Sequence, residues 1–214
     1  MIKLYGYWRS SAAYRVRLAL NLKGLEYQSQ SVHLVKNGGE QHLEDYKELN
    51  PNQLVPTLQD GDFILNQSLT IIEYLEQKYP NNALFPIDIE AKFLAKALAN
   101  DIACDIHPLN NLRVLNYLST ELGVNNEQKK QWYQHWVKTG FDSLENRLAQ
   151  TSKRFSVGDD ITIVDVCLIP QVYNALRFDV DMSSYPTITK VYNNCNQLTA
   201  FIDAAPENQP DAVL

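Results

Sequence analysis

The stretch WRSSAAYRVRLAL, from Trp8 to Leu20, follows directly after the β-prone run Ile2 to Tyr7. Its apolar residues recur at helical spacing, and Gly24 follows as the residue that ends the helix. The chain therefore passes from a strand into a helix through two serines, Ser10 and Ser11. Such serines either cap the helix or, with the free amide groups of the first turn, hold an anion. The stretch alone leaves both interpretations open.

Short strand and helix patterns continue to alternate up to Pro80. The run EYQSQSVHL predicts a second strand, and EQHLEDYKELN predicts a helix that stops before Pro51. VPTLQ and FILN, joined by Asp60-Gly61-Asp62, predict a β-hairpin, and SLTIIEYLEQKY predicts a closing helix. The predicted order is strand, helix, strand, helix, and then strand, strand, helix.

From Ile87 onward only helical periodicity remains, over residues 87–121, 126–151, 162–178 and 185–203. We therefore predict two domains, an α/β domain over residues 1–82 and an all-helical domain over residues 87–211, with NNALFP as the linker. In the run TIVD, Thr162 and Asp165 predict a capping box at the start of a helix. Loss of Asp165 should then cost about 1 kcal/mol of stability.

Composition and charge exclude several classes of function. The chain has 214 residues, of which 45% are apolar and 21% charged, as is typical of a globular protein. A net charge of -6 without a long basic block argues against nucleic-acid binding. Because no apolar run approaches the ~20 residues of a membrane span and no signal-peptide pattern is present, we expect a cytoplasmic protein. The cysteines and histidines show no ligand spacing, so we predict no metal site.

Four motifs stand in order along the chain: RSSAAYRVRLALNLKGL, NPNQLVP, NQSLTIIEYLE and CLIPQVYNALRF. Together they resemble the zeta class of the glutathione transferase family over nearly the whole chain, from Ile2 to about Asp211. The resemblance implies an α/β thioredoxin-like N-terminal domain followed by an all-α C-terminal helical domain, the glutathione transferase fold. It also implies glutathione as the cofactor and a homodimer with each site near the interface.

The resemblance assigns the stabilisation of the glutathione sulfur to the serine pair. An ordinary thiol with a pKa near 8.5 is mostly unreactive at neutral pH, so the site must favour the thiolate. A hydroxyl donor at the positive end of a helix dipole does this. The resemblance gives the contact to Ser10, with Ser11 beside it. The family often has a cysteine at the next position, where this chain has Ala12, so a mechanism that needs a protein thiol there is excluded.

The rest of glutathione is expected to lie along three further segments. The resemblance implies a cis bond between Val55 and Pro56, which would leave the Val55 backbone to pair with glutathione like an added strand. Gln67 and Ser68, at the start of the next predicted helix, suit the free carboxylate of the γ-glutamyl group. Gln41 matches a further family contact.

The substrate side of the site is expected to be cationic. Arg177, in NALRFDVD, matches the arginine that zeta enzymes use on a substrate carboxylate, and guanidinium geometry suits that role. In CDIHPLNNLRVL the residues His107, Asn111 and Arg113 resemble ligand contacts of the bacterial members of the class, and we place them on one long helix. Arg15 and Arg17 are interpreted as surface or structural ion-pair residues.

The resemblance implies glutathione-dependent cis–trans isomerisation of maleylacetoacetate to fumarylacetoacetate, a step of tyrosine and phenylalanine breakdown. Glutathione adds to the cis double bond, the bond rotates, and glutathione is released unchanged. The substrate is thus a small anionic diketo acid. Three alternatives stay open: the same chemistry on maleylpyruvate from gentisate, a general glutathione transferase or peroxidase, and a non-catalytic glutathione-binding protein.

Overall fold

The computed structural model describes residues 1–213, and internal contacts divide them into two compact units. The first unit comprises Met1–Leu84 together with the C-terminal segment from Gln197 onward, and the second comprises Phe85–Asn196. Within the described residues, no helix is both long enough and apolar enough to span a bilayer.

The first unit is built on a four-stranded sheet. Its strands are β1 (Ile2–Gly6), β2 (Tyr27–Ser31), β3 (Thr57–Asp60) and β4 (Phe63–Asn66), in the order β2-β1-β3-β4. β1 pairs with β2 in parallel, whereas β1 with β3 and β3 with β4 pair antiparallel. A parallel pair joined by a helix, followed by a hairpin, confirms the predicted α/β arrangement.

Three helices connect and cover these strands: α1 (Ser11–Leu22), α2 (Glu44–Leu49) and α3 (Ser68–Lys78), with short 3-10 turns at Lys36–Gly38 and Glu40–His42. Leu18 of α1, Leu58 of β3 and Ile72 of α3 are fully buried in this unit's core. α1 ends at its cap Lys23, one position before the predicted cap Gly24, which follows with φ 67°.

By internal contacts the C-terminal segment groups with the first unit, whereas the predicted helical domain extends to residue 211. Helix α9 (Thr199–Ala204) packs on α1, and the side-chain amide of Asn21 donates to the carbonyl of Ala200. The segment therefore belongs with the first unit. Helical periodicity alone could not reveal this, because it shows that a segment is helical and not which element it packs against.

The second unit is entirely helical, as predicted. Its helices are α4 (Ile89–Asn100), α5 (Leu112–Thr120), α6 (Asn126–Thr151), α7 (Ile163–Arg177) and α8 (Pro186–Cys195). Val137, Phe141 and Leu144 of α6, with Leu168 and Ile169 of α7, belong to its buried core. The capping box of α7 is present, with the Thr162 hydroxyl accepting from a first-turn amide and the Asp165 carboxylate accepting from the Thr162 N–H.

The segment from 87 to 121 is not the one long helix that the periodicity predicted. After α4 the chain forms a π-helical turn over Asp101–Ile106 and a 3-10 turn over His107–Asn110. Pro108 lacks an N–H, and Asn111 is extended, with ψ 148°. The Asn111 side chain caps α5 by accepting from the Arg113 N–H at 3.1 Å. Apolar residues keep a roughly helical spacing through the π-helical and 3-10 turns. The sequence pattern therefore could not show where the α-helix is interrupted.

Candidate functional site

Ser10 lies at the point where the strand-to-helix passage ends. Its backbone is extended, and its Oγ accepts a hydrogen bond from the Ala13 N–H at 3.2 Å, so Ser10 is the N-cap of α1. The oxygen is used in the cap, but the hydroxyl hydrogen can still donate to an anion. The side chain is half-buried, at the positive end of a helix of 12 residues. Capping and anion binding are thus compatible at this residue.

Ser11 and Arg15 belong to the buried face of α1. Ser11 is the first helical residue, and Arg15 is 1% exposed. The guanidinium of Arg15 donates from Nη1 to the Ser68 Oγ at 3.4 Å, which connects α1 to the first residue of α3. We had interpreted Arg15 as a surface or structural ion-pair residue, so its contact with a candidate site residue was missed. The sequence contained one signal, the helical spacing that puts Arg15 four residues after Ser11 on the same face of α1.

Gln67 and Ser68 start α3. Gln67 has φ 69°, in the left-handed region that side chains other than glycine rarely adopt, and its side chain makes no cap hydrogen bond. The Gln67 side chain is exposed, whereas Ser68 is buried. Backbone strain of this kind is concentrated at functional sites. The first-turn N–H groups of this 11-residue helix can bind an anion, as those of α1 can.

Val55 and Pro56 lie directly before β3. The peptide bond between them is cis, as predicted. Within residues 1–213, the backbone N–H and C=O of Val55 form no backbone hydrogen bond. Pro56 is buried and Val55 is half-buried. The Val55 backbone therefore offers one donor and one acceptor for an extended peptide.

Gln41 is buried in the loop between β2 and α2. Its Nε2 donates to the Leu34 carbonyl at 3.4 Å and lies 3.0 Å from the His42 Nε2. Its Oε1 is buried without a hydrogen-bond partner in the described part of the chain. Gly39, with φ 103°, packs so closely that an added Cβ would lie 2.4 Å from the Gln41 Nε2. An unpaired buried acceptor of this kind makes Gln41 a candidate ligand contact.

Arg177 is the last residue of α7, in the second unit. Its side chain is exposed, and its guanidinium lies over the Phe178 ring, 5.2 Å from the centroid. Phe178 in turn stacks on Tyr133 at 3.7 Å. Burial raises the pKa of Tyr133, and the charge of Arg177 opposes that shift. No carboxylate of residues 1–213 forms an ion pair with Arg177, so its charge is open to a ligand.

The three other predicted residues of this unit surround the break between α4 and α5. His107 starts the 3-10 turn and is half-buried. Asn111 uses its side-chain oxygen to cap α5, and Arg113 is exposed. They do not lie on one long helix as predicted, because the 3-10 turn over His107–Asn110 and the extended Asn111 interrupt it. The structure thus places seven of the predicted site residues in the first unit and four in the second.

Family models match both halves of the chain. The model described as the glutathione S-transferase N-terminal domain matches residues 4–83. The model described as the glutathione S-transferase C-terminal domain matches residues 111–207.

Individual relatives match nearly from end to end. A protein named probable maleylacetoacetate isomerase from Vibrio cholerae is 56% identical, over 98% of this chain and 97% of its own length. A holo structure of a maleylpyruvate isomerase, described as a bacterial glutathione transferase of the zeta class, superposes with a TM-score of 0.96 at 45% identity and covers 99% of this chain and 100% of its own.

A third relative has been solved with ligands. It is a maleylacetoacetate isomerase from Methylobacterium extorquens with bound malonate and glutathione, with a TM-score of 0.95 at 38% identity, covering 99% of this chain and 100% of its own. Domain models, full-length identity and matching structures agree with the four motifs. This chain belongs to the zeta class of the glutathione transferase family.

Proposed function

We propose that this protein is a glutathione-dependent cis–trans isomerase that converts maleylacetoacetate to fumarylacetoacetate. The observation that carries the proposal is the placement of Ser10. Its hydroxyl oxygen caps α1 while its hydrogen remains available, so it can donate to a sulfur anion at the positive end of the helix. Full-length identity of 56% to a probable maleylacetoacetate isomerase supports the choice of reaction.

The residues of the first unit fit the functional groups of glutathione. The start of α3, with Gln67 and Ser68, suits the γ-glutamyl carboxylate, because first-turn amides favour negative charge. The Val55 backbone suits the central peptide unit through one donor and one acceptor. The buried oxygen of Gln41 suits an N–H of the tripeptide.

Glutathione supplies a sulfur nucleophile whose reversible addition to the substrate double bond allows that bond to rotate. The protein's part is to keep the sulfur ionised at neutral pH. Ser10 holds a hydrogen-bond donor at the sulfur position, and the dipole of α1 favours negative charge there. Ser11, fixed on the buried side of the helix start, supports that geometry. Neither serine needs to form a covalent bond.

Substrate recognition is assigned to cationic and polar groups of the second unit. Arg177 presents a guanidinium that no described carboxylate neutralises, and bidentate geometry suits a carboxylate of the diketo acid. His107, Asn111 and Arg113 surround the break before α5 and are proposed as further ligand contacts. The relative from Methylobacterium extorquens holds malonate, a dicarboxylate, which supports an anionic substrate.

Maleylpyruvate is the second candidate substrate. The resemblance of the run from His107 to Arg113 to bacterial members of the class favours it, as does the TM-score of 0.96 to a maleylpyruvate isomerase. Both substrates carry a maleyl group, so the same sulfur chemistry serves either.

We also propose that the enzyme works as a homodimer in the cytoplasm. α4 exposes Ile89 and Phe93 four residues apart, and Leu94 beside them, which is an apolar face that a second copy would cover. All three cysteines are free thiols, which suits a reducing compartment.

The test is turnover of maleylacetoacetate and of maleylpyruvate, each with and without glutathione, followed by absorbance. We expect loss of the cis substrate only when glutathione is present, with the higher kcat/KM for maleylacetoacetate. Arg177→Lys should raise KM more than it lowers kcat, because it keeps the charge and loses the bidentate geometry. A higher kcat/KM for maleylpyruvate would instead identify maleylpyruvate as the preferred substrate. Glutathione binding without turnover of either substrate would favour a transferase, a peroxidase or a binding protein.

A further inference from the structure

The segment that carries Ser10 is a tight turn. The Ser10 N–H donates to the Tyr7 carbonyl at 2.9 Å, so Trp8 and Arg9 are the central residues of a turn whose last residue is Ser10. Ser10 is also the N-cap of α1. The direction of its hydroxyl therefore depends on how this turn, defined here as the serine turn over residues 7–10, is held.

Both backbone groups of Trp8 are held by side chains. The Trp8 N–H donates to the Asp211 Oδ2 at 3.1 Å, and the Trp8 carbonyl accepts from the Arg17 Nη2 at 3.1 Å. The same Asp211 oxygen accepts from the Ser31 hydroxyl at 3.0 Å, at the end of β2. Asp211 thus connects the serine turn to the sheet, although it lies 203 residues away along the chain.

The remaining contact joins the C-terminal helix to the same turn. Arg17 is 3% exposed, and its Nε donates to the Ala204 carbonyl at 3.0 Å, where α9 ends. One guanidinium therefore bridges the end of α9 and the backbone of Trp8. The C-terminal segment reaches the serine turn by two routes, Arg17 with Ala204 and Asp211 directly.

We propose that Asp211 is a positioning residue of the glutathione site, a role that rests on the proposed contact between Ser10 and the glutathione sulfur. Its carboxylate fixes the N–H of Trp8 while Arg17 fixes the carbonyl, so the serine turn has one orientation and Ser10 points its hydroxyl at the sulfur. A donor displaced by a fraction of an ångström stabilises the thiolate less, because hydrogen bonds to anions depend on distance and angle. Asp211 does not touch glutathione.

The experiment compares Asp211→Ala, Asp211→Asn and the wild type, with Glu207→Ala as the matched control. Glu207 is an exposed carboxylate of the same segment and forms no hydrogen bond or ion pair with the described residues of the serine turn. Three quantities are measured: the pKa of the enzyme-bound glutathione thiol from its ultraviolet absorbance, the kcat and KM of isomerisation, and the free energy of unfolding in urea.

We expect Asp211→Ala to raise the bound-thiol pKa toward that of free glutathione and to lower kcat/KM about tenfold. Asp211→Asn keeps an acceptor oxygen for the Trp8 N–H and should recover most of both quantities, while Glu207→Ala should match the wild type. Asp211→Ser serves the same comparison if Asp211→Ala does not fold. A bound-thiol pKa that is unchanged in Asp211→Ala overturns the proposal, whether or not stability falls. Ser10→Ala is measured beside these variants. If Ser10→Ala leaves the thiol pKa where the wild type has it, the role of Ser10 fails, and Asp211 has no donor to position.

Discussion

Two polar residues at helix starts, Ser10 and Gln67, are proposed to contact glutathione, and their backbones differ. Ser10 caps α1 with its hydroxyl oxygen, so the hydroxyl hydrogen can still donate to a ligand. Gln67 is different, since its φ of 69° stores strain that the surrounding structure must offset. The sequence indicated both residues, but only the backbone geometry separates the relaxed residue from the strained one.

Gln67→Gly should therefore raise the stability of the protein and weaken its binding of glutathione. Glycine adopts positive φ without strain, but it loses more backbone entropy on folding than glutamine does. The net effect should be a rise of about 1 kcal/mol in the free energy of unfolding. Affinity for glutathione should fall, because the side-chain amide is lost. Urea melts and calorimetric titration measure the two effects. Asn82→Gly is the control, since Asn82 also has positive φ, at 53°, and should gain stability with no change in affinity. Equal affinity of Gln67→Gly and the wild type would remove Gln67 from the site.

At the scale of elements, the start of α7 illustrates how burial changes the value of a sequence motif. The sequence predicted the capping box and a cost of about 1 kcal/mol for losing it. In the structure Asp165 is fully buried, and its two oxygens accept from the N–H groups of Ser156 and Thr162. Burial raises the pKa of Asp165, and these hydrogen bonds oppose the shift.

Asp165→Ala should cost more than a surface cap, because it leaves two buried N–H groups without acceptors. We expect a loss of about 3 kcal/mol in the free energy of unfolding, measured by urea melts. Asp159→Ala is the matched control, since the Asp159 carboxylate is exposed in its pair with Lys153, and we expect a change below about 0.5 kcal/mol. Similar losses in the two variants would contradict this account of α7.

A second element-scale prediction concerns acid stability of the first unit. The Asp60 Oδ2, at the end of β3, accepts from the hydroxyls of Tyr74 and Tyr79 and from the Lys78 ammonium. Burial acts to raise the pKa of Asp60, but these hydrogen bonds outweigh it and hold the pKa below its usual value. A depressed pKa adds stability above the unfolded-state pKa of about 4 and loses it as the pH falls through the folded-state value.

The stability advantage of the wild type over Asp60→Asn should therefore shrink as the pH falls from about 5 to about 2. Urea melts of both proteins across that range measure the difference. The other carboxylates titrate in both proteins, so their contribution cancels in the comparison. A difference that stays constant or grows on acidification would contradict the assignment.

The sequence predicted those features that depend on residues close together in the chain. The strand-to-helix passage at Ser10 and the hairpin at Gly61 are set by neighbours in the chain, and they were predicted. The break at Pro108 was hidden, because apolar periodicity passes through π and 3-10 turns. Gln41 came only from resemblance, since its buried oxygen depends on how the loop packs.

At the scale of the whole molecule, the hardest feature to predict was the return of the C-terminal segment to the first unit. The bond from Trp8 to Asp211 joins residues that no local pattern relates. The predicted helical domain extends to residue 211, and the packing of its last residues with the first unit leads to a proposed role for Asp211.

The proposed homodimer gives a prediction at this scale. Phe93 is 58% exposed on the apolar face of α4, so Phe93→Glu should shift the protein from dimer to monomer in sedimentation velocity. Ile202→Glu is the control, because Ile202 is also an exposed apolar residue but lies on α9. A wild-type protein that sediments as a monomer, or a Phe93→Glu variant that remains dimeric, would contradict the role of this face.

The central claim is that Ser10 makes bound glutathione reactive. The most direct measurement is glutathione-dependent isomerisation of maleylacetoacetate by the wild type and Ser10→Ala, with glutathione affinity determined separately. We predict that kcat falls by about 100-fold or more while affinity changes by less than about tenfold, because the hydroxyl acts on the sulfur and most binding contacts remain. Turnover by Ser10→Ala at the wild-type rate would contradict the account.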